Sequence, residues 1–339
     1  MIRELTSLRF ILILVIFFHH ILASYPGGGD MGVAYFLVLS GFCYALGYGD
    51  RVQKADFNYR SFIRSRLVKF YPMHWITLLI AVPVSLDVGL GWKNGLIMGI
   101  NGLLLQSWFP LSSVYYSFNG VSWFLSDLLF LVAVFPFVFR WLRSATGRRI
   151  FIPLAAAAYC VLCILTPENQ RNTVLYVNPV VRLADFTVGL LSGMWYLKLN
   201  DCVAVKDYIR RHGMMLRTMA LLAFLVLLAM SIFIPSRYTL MAFIFWPAIV
   251  LMLICISLNP GGVLSTPMLY KLGTISFPFY MIHQLVIRYT SLVFLKAGME
   301  PSLFLTIPIS LIFSIAVSFL IESALRRFKR NGELLNLQH

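Results

Sequence analysis

Charged side chains are scarce in this chain of 339 residues, where Asp, Glu, Lys and Arg together make up 12%. A soluble domain carries about 25%. The mean hydropathy is +0.82 and hydrophobic residues make up 60% of the sequence. These values exclude an ordinary soluble enzyme. The apolar runs are continuous and too long for the alternating strands of a transmembrane barrel, so we expect an all-α, polytopic transmembrane helical bundle.

Acidic residues are the scarcer of the two charge classes, with 13 Asp and Glu against 28 Lys and Arg and a formal net charge of +15. In a soluble protein such an excess would indicate a nucleic-acid partner. Here the basic residues lie between apolar segments, so the positive-inside rule explains them and we expect no nucleic acid to bind. Four basic segments are therefore expected to face the cytoplasm: 50–69, 140–149, 198–217 and 326–330.

Cysteines in a metal-binding pattern are also lacking. Of the five cysteines, Cys160 and Cys163 form a C-x-x-C pattern, but no second pair or nearby histidine accompanies them. We interpret Cys160 and Cys163 as small buried hydrophobes and expect no metal. The first apolar segment is not followed by a small-residue cleavage site, so we expect a retained span rather than a signal peptide.

Eleven apolar segments are candidates for membrane spans: 7–25, 31–49, 71–91, 95–109, 121–141, 150–166, 180–198, 216–235, 238–258, 272–296 and 302–325. Loops 50–69 and 140–149 can share one side only if an even number of crossings separates them, yet three candidates lie between them. Segment 95–109 is short and rich in glycine, so we predict that it is re-entrant or interfacial. Ten crossings remain, with both termini cytoplasmic, in a single membrane domain at 1–330 followed by a short cytoplasmic tail at 331–339.

The first segment carries Arg9, His19 and His20 inside an apolar run. Ionisable groups at bilayer depth are costly and usually face a protein interior or a polar cavity. Arg9 and His20 are eleven residues apart, which on a helix is about 16 Å and about three turns, so both lie near one side. This arrangement suits a ligand with an anionic head and a long, thin arm. The alternative is that Arg9 snorkels to the surface and the histidines pack in a core.

Asp127 is expected at a similar depth to His20, in the outer half of the membrane. A carboxylate at that level is able to orient an imidazole and stabilise its charged form, as a general base requires. We therefore take His20 and Asp127 as the candidate catalytic residues. The alternative is that Asp127 pairs with Arg182 or Arg288 as part of the structure. Helical geometry turns His19 about 100° away from His20, so we expect only one of these two rings to face the site.

Two further groups of residues are candidates for binding. Arg66 and Lys69 are three residues apart near the cytoplasmic surface and, with Arg9, form a basic cluster able to hold phosphates. The alternative for the cluster is the positive-inside rule or contact with anionic lipids. Arg182, His283 and Arg288 are candidates for substrate binding inside the membrane, although a structural role is the simpler interpretation of His283 and Arg288.

Several stretches of the chain together resemble one family, the acyltransferase-3 integral membrane acyltransferases. Arg9 and His20 meet its Arg-x10-His signature, Arg66 and Lys69 take its basic R/K-x-x-R/K positions, and Asp127 stands for the Glu of its Trp-x-Leu-x-x-Glu element. The stretches are LTSLRFILILVIFFHH (5–20), YFLVLSGF (35–42), RSRLVKFYPMHW (64–75), VSWFLSDLLF (121–130), VRLADFTVGLLSG (181–193) and LGTISFPFYMIHQ (272–284).

The resemblance implies transfer of an acyl group, often acetyl, from cytoplasmic acyl-CoA to a hydroxyl of a sugar, glycolipid or cell-surface polysaccharide. Arg9, Arg66 and Lys69 would then bind the phosphates of the donor, and His20 would act as the general base. The expected partners are acyl-CoA, the acceptor and membrane lipids, in the inner membrane of a bacterium. The main alternative is a transporter or flippase of a lipid-linked or anionic substrate, although the sequence has no paired repeat to support it.

Overall fold

The computed structural model describes residues 2–22, 29–88, 91–231 and 244–335, and within these ranges it contains helices and no strand. The helices are α1 (Arg3–Ile21), α2 (Gly29–Gln53), α3 (Tyr59–Ala81), α4 (Trp92–Gly102), α5 (Ser112–Tyr115), α6 (Trp123–Arg143), α7 (Ala145–Leu165), α8 (Pro179–Asp201), α9 (Val203–Ser231), α10 (Trp246–Leu258), α11 (Pro267–Thr274), α12 (Ser276–Lys296) and α13 (Leu303–Leu335). Short 3-10 or π turns lie at Pro83–Val88, Gln106–Trp108, Glu168–Gln170, Asn172–Val177 and Gly262–Ser265.

Seven of the described helices are long and apolar enough to cross a membrane: α1, α2, α6, α7, α8, α9 and α13. The polytopic helical bundle expected from the sequence is therefore confirmed. Helices α3, α10 and α12 fall at three further predicted crossings, 71–91, 238–258 and 272–296. Parts of the predicted segments 7–25, 71–91, 216–235 and 238–258 lie outside the described residues, as do residues 336–339 of the predicted tail.

Two element boundaries differ from the sequence prediction. The basic stretch 50–69 was expected to be a loop, but α2 continues to Gln53 and α3 begins at Tyr59. The side chain of Asn58 accepts a hydrogen bond from the backbone N–H of Ser61 at 2.9 Å and so caps α3. Most basic residues of this stretch are therefore held on helices. At the other end of the chain α13 runs to Leu335, so the predicted tail at 331–339 begins inside a helix.

Segment 95–109 does not form one long helix. Helix α4 has 11 residues, which is about 16 Å along its axis against about 30 Å for the apolar core of a bilayer. Leu104 then takes a left-handed conformation, with φ of 57°, and a 3-10 turn and the short helix α5 follow. This geometry supports the prediction that the segment enters the protein without crossing.

The core of the bundle is formed by α1, α2, α6 and α8. The apolar windows of α1, α2, α6 and α8 are 56–61% buried within the protein, against 6–22% for α7, α9 and α13. Helix α1 packs against α2, α10, α11 and α12. The outer helices therefore present their apolar surface to lipid, while α1 is enclosed by other helices.

The pairing of α2 with α8 depends on glycines in two of the motif-like stretches. Gly41 on α2 lies against the backbone of Phe186 and Leu190, and Gly189 on α8 lies against the backbone of Val38 and Phe42. A Cβ at either glycine would collide with a carbonyl oxygen of the facing helix. Small residues let two membrane helices approach closely and gain van der Waals contact, so these glycines set the distance between the two helices.

We predict that Gly41→Ala destabilises the protein, because the new methyl group forces α2 and α8 apart. Overpacking of this kind typically costs about 1–3 kcal/mol. The measurement is the loss of monodisperse protein with temperature, followed by size-exclusion chromatography in detergent. The matched control is Gly47→Ala on the same helix, where an added Cβ meets nothing within 4 Å. Equal thermal stability of the two variants would contradict this account of the helix pairing.

The second prediction concerns the topology around α4. A single cysteine introduced at Ser112, which is exposed, should react with a membrane-impermeant thiol reagent added outside the cell, because segment 95–109 does not cross. A cysteine at Ala55, in the basic connection between α2 and α3, should react only after permeabilisation. Both are made in a cysteine-free variant, and reaction of position 112 from the cytoplasm alone would contradict the topology.

Candidate active site

A cavity of about 1000 Å³ lies beside the C-terminal end of α1. This volume is sufficient for a ligand of the size that protein pockets usually bind. Helix α1 contributes Ile16, His19 and His20 to its lining. Helix α12 contributes Tyr280, Gln284 and Arg288, and α2 contributes Val33. The rest comes from residues within 82–98, within 113–123, and from Asn172 and Tyr176. The cavity is thus formed where the end of α1, α12 and the irregular segment around α4 meet.

His20 contacts a second histidine at the cavity. Its Nδ1 donates to the carbonyl oxygen of Ile16 at 2.9 Å, and the same Nδ1 lies 3.2 Å from Nε2 of His283 on α12. His283 is completely buried, and its own Nδ1 donates to the carbonyl oxygen of Tyr280 at 2.7 Å. The sequence predicted a substrate-binding role for His283, whereas the structure brings it into hydrogen-bonding distance of the predicted base.

His19 lines the same cavity as His20, and the two rings meet edge to face with centroids 5.5 Å apart. The expectation that only one of the two histidines faces the site was wrong. The turn of about 100° between neighbours on a helix is real, but the cavity is wide enough to wrap around the end of α1 and reach both rings.

Asp127 lies away from this pair. It is completely buried on α6, four residues after Trp123. Trp123 lines the cavity, whereas Asp127 does not. The electrostatic neighbours of its carboxylate are Ser107, Arg182 and Asp185. The contacts of His20 are with Ile16, His283 and His19, so the predicted pairing of Asp127 with His20 is not formed. Similar depth in the membrane did not imply contact, because depth does not determine which helices are neighbours. Asp127 also stands one residue short of the spacing in Trp-x-Leu-x-x-Glu.

Arg182 is held in a buried ion pair behind the cavity wall. Its Nη1 donates to Asp185 at 2.6 Å, and its Nε donates to the carbonyl oxygen of Tyr176 at 2.6 Å. Trp246 donates to the other oxygen of Asp185, also at 2.6 Å. Because Tyr176 and not Arg182 lines the cavity, Arg182 supports the wall rather than lying in it.

Arg288 lines the cavity and also joins its connecting segments. It donates to the carbonyl oxygens of Phe118 at 2.8 Å and Val84 at 2.6 Å. Phe118 has a left-handed backbone, with φ of 54°. These bonds hold the 3-10 turn after α3 and the connection before α6 against α12, so Arg288 maintains the shape of the cavity as well as contributing charge to it.

Two of the three predicted donor-binding residues, Arg9 and Arg66, lie near tyrosines of α2. Arg66 donates to the Tyr48 hydroxyl at 2.6 Å and its guanidinium lies over the rings of Tyr48 and Tyr44, at 4.7 and 5.8 Å from their centroids. Arg9 lies 3.5 Å from Sγ of Cys43 and acts electrostatically on Tyr44. Lys69 is exposed on α3. The structure therefore brings Arg9 and Arg66 to a common neighbour, Tyr44, although they belong to different helices.

Comparison with known proteins identifies the family. Residues 2–323 match the family model described as an acyltransferase domain, Acyl_transf_3. The chain belongs to this family of acyltransferases. The curated protein "Acyltransferase MdmB" of Streptomyces mycarofaciens is 28% identical over 291 residues, which cover 77% of this chain and 69% of that protein. No solved structure matches the chain. The resemblance seen in the sequence is thus confirmed, and the protein is a membrane acyltransferase.

Several residues of the candidate site were not predicted from the sequence. Tyr44 and Tyr48 are one turn apart on α2 and share a face, which is the only signal that could have marked them. Asn94, Asn172 and Gln284 line the cavity, but they come from three distant parts of the chain. Their contribution depends on the tertiary structure, so no local pattern could have predicted it.

Proposed function

We propose that this acyltransferase moves an acyl group, expected to be acetyl, from cytoplasmic acyl-CoA to a hydroxyl of a sugar, glycolipid or cell-surface polysaccharide. It would do so in the inner membrane of a bacterium, with both chain termini cytoplasmic. The observation that carries the proposal is the position of His20 at a large cavity on the same helix as Arg9. The two residues are eleven positions apart, about 16 Å along the helix.

The donor is proposed to approach from the end of α1 that carries Arg9. Guanidinium groups bind phosphate through charge-assisted, often bidentate hydrogen bonds, and CoA carries several phosphate charges. Arg66 fits this role because the Tyr48 hydroxyl and the aromatic rings around it hold its guanidinium in one orientation. The thin arm of the donor would then extend along α1 towards His20.

The acceptor is proposed to enter the cavity from the outer side. The lining offers side-chain amides from Asn94, Asn172 and Gln284 beside the aromatic rings of Tyr116 and Tyr176. Amides donate to and accept from hydroxyl groups, while aromatic rings pack against the apolar face of a ring-shaped ligand. This combination suits an acceptor that presents several hydroxyl groups, such as a sugar.

His20 would act as the general base in a direct transfer. The proton of the acceptor hydroxyl passes to His20 while the hydroxyl oxygen forms a bond to the carbonyl carbon of the thioester. The carbon–sulfur bond then breaks, and the thiolate of CoA takes the proton from His20. A positioned base of this kind contributes about 100- to 10,000-fold in rate.

The third prediction is that His20→Ala reduces acyl transfer by about 100-fold or more, because it removes the base. Expression and membrane insertion should be unchanged, and turnover is measured as label transferred from acyl-CoA to the acceptor. His19→Ala is the matched control, since His19 lines the same cavity on the same helix. Full turnover in His20→Ala together with loss in His19→Ala would move the base to His19.

The fourth prediction separates donor binding from a general effect of basic charge. Arg66→Ala and Lys69→Ala should raise the donor KM by about 10- to 100-fold, because a charge-assisted bond to phosphate contributes about 1.5–3 kcal/mol. The acceptor KM should change little. Arg51, an exposed residue in the last turn of α2, provides the control Arg51→Ala. Equal losses at Arg51 and Arg66 would mean that these residues act through topology or lipid charge.

A further inference from the structure

We propose that His283 is a positioning residue that fixes the proton of His20 on Nδ1 and leaves Nε2 as the basic nitrogen. The inference rests on the proposed acyl transfer, since it assigns a role within that reaction. It replaces the carboxylate expected from the sequence with a neutral imidazole on α12. The role of each ring depends on which of its nitrogen atoms holds a hydrogen.

The tautomer of His283 follows from its backbone contacts. Its Nδ1 lies 2.7 Å from the carbonyl oxygen of Tyr280 and 3.2 Å from that of Phe279. A carbonyl oxygen only accepts hydrogen bonds, so Nδ1 must carry a hydrogen. In a neutral imidazole the other nitrogen, Nε2, then holds a lone pair and acts as an acceptor. It is this Nε2 that lies 3.2 Å from His20.

The tautomer of His20 follows from two contacts that agree. Its Nδ1 lies 2.9 Å from the carbonyl oxygen of Ile16, which requires a hydrogen on Nδ1. Nε2 of His283 holds a lone pair, so it can only accept the hydrogen bond, and Nδ1 of His20 must carry the hydrogen. Nδ1 of His20 therefore donates to both acceptors, and Nε2, on the other edge of the ring, holds the lone pair that a general base needs.

His283 is held firmly enough to impose this orientation. It is completely buried, and its ring lies parallel to that of Phe279, with an angle of 7° between the planes and 6.0 Å between the centroids. The neighbouring part of α12 is tied to the segment before α6, because Asn119 donates to the carbonyl oxygen of Met281 and the Tyr280 hydroxyl donates to that of Val121. Neighbours whose side-chain conformations are fixed by packing and hydrogen bonds hold a reacting group in its productive geometry.

The arrangement also serves the charged state of the reaction. When Nε2 of His20 takes the acceptor proton, the ring becomes an imidazolium and its Nδ1–H becomes a stronger donor. Both of its acceptors, the Ile16 carbonyl and His283, are already in place, so no group has to reorganise. The proton leaves from Nε2 to the thiolate, and the hydrogen on Nδ1 stays where it is throughout.

Two substitutions of similar size test this role. In His283→Gln the side-chain amide reaches the position of Nε2 and offers an oxygen acceptor to His20, whereas in His283→Asn the amide reaches only the position of Nδ1. We expect His283→Gln to keep most of the wild-type kcat and His283→Asn to lose about 100-fold or more. The KM values for donor and acceptor should be unchanged in both. Wild-type kcat in His283→Asn, or equal losses in two folded variants, would overturn the proposal.

A second measurement is read from the wild-type protein and does not depend on the folding of the His283 variants. Nitrogen NMR of isotopically labelled histidine in the wild-type protein in lipid bilayers, with His20 assigned by comparison with His20→Ala, should find the hydrogen of the neutral ring on Nδ1. A hydrogen on Nε2 of His20 would overturn the proposal. Because no substrate is present, this result is separate from the proposed function, which fails instead if wild-type protein transfers no acyl group.

Discussion

The site depends on one constraint, that a polar ring inside a membrane protein must find hydrogen-bond partners within the protein. An unpaired polar group in an apolar interior costs several kcal/mol. His20 meets this constraint through the Ile16 carbonyl and His283, and so α1 and α12 must keep a fixed register. That register in turn determines where the cavity opens, because both helices contribute to its lining. The same contact that stabilises the two rings in the membrane also leaves one nitrogen of His20 available for chemistry.

The rest of the bundle keeps this contact in place. Gly41 and Gly189 let α2 and α8 approach closely, and α1 packs on α2 from the other side of the core. Gly273 of α11 lies directly against the backbone of Thr6, so α11 packs closely on the N-terminal half of α1. Arg9 and His20 therefore lie on one helix that other helices enclose, with Arg9 in its first half and His20 in its last turn. The structure thus shows that the eleven-residue spacing of Arg9 and His20 lies within one continuous helix.

Much of the fold was predictable because it follows from local pattern. Continuous apolar runs indicate membrane helices. The basic segments at 50–69 and 140–149 implied that one of the three apolar segments between them does not cross, and the structure has the short helix Trp92–Gly102 there. Candidate residues could be predicted where they lie along one helix, as Arg9 and His20 do. Their pairing could not be predicted where helices meet. Asp127 and His283 are both completely buried polar residues, and the packing of α12 on α1 brings His283 to His20.

The proposed acyl transfer from a cytoplasmic donor is tested most directly in sealed vesicles. Radiolabelled acetyl-CoA is added to inverted vesicles, which expose the cytoplasmic face, and to right-side-out vesicles from cells that make the protein. The account predicts that label enters a glycan or glycolipid fraction in inverted vesicles only, and not with His20→Ala. Unlabelled acceptor that crosses the membrane without receiving the acetyl group, in either orientation, would contradict the account and indicate a transporter.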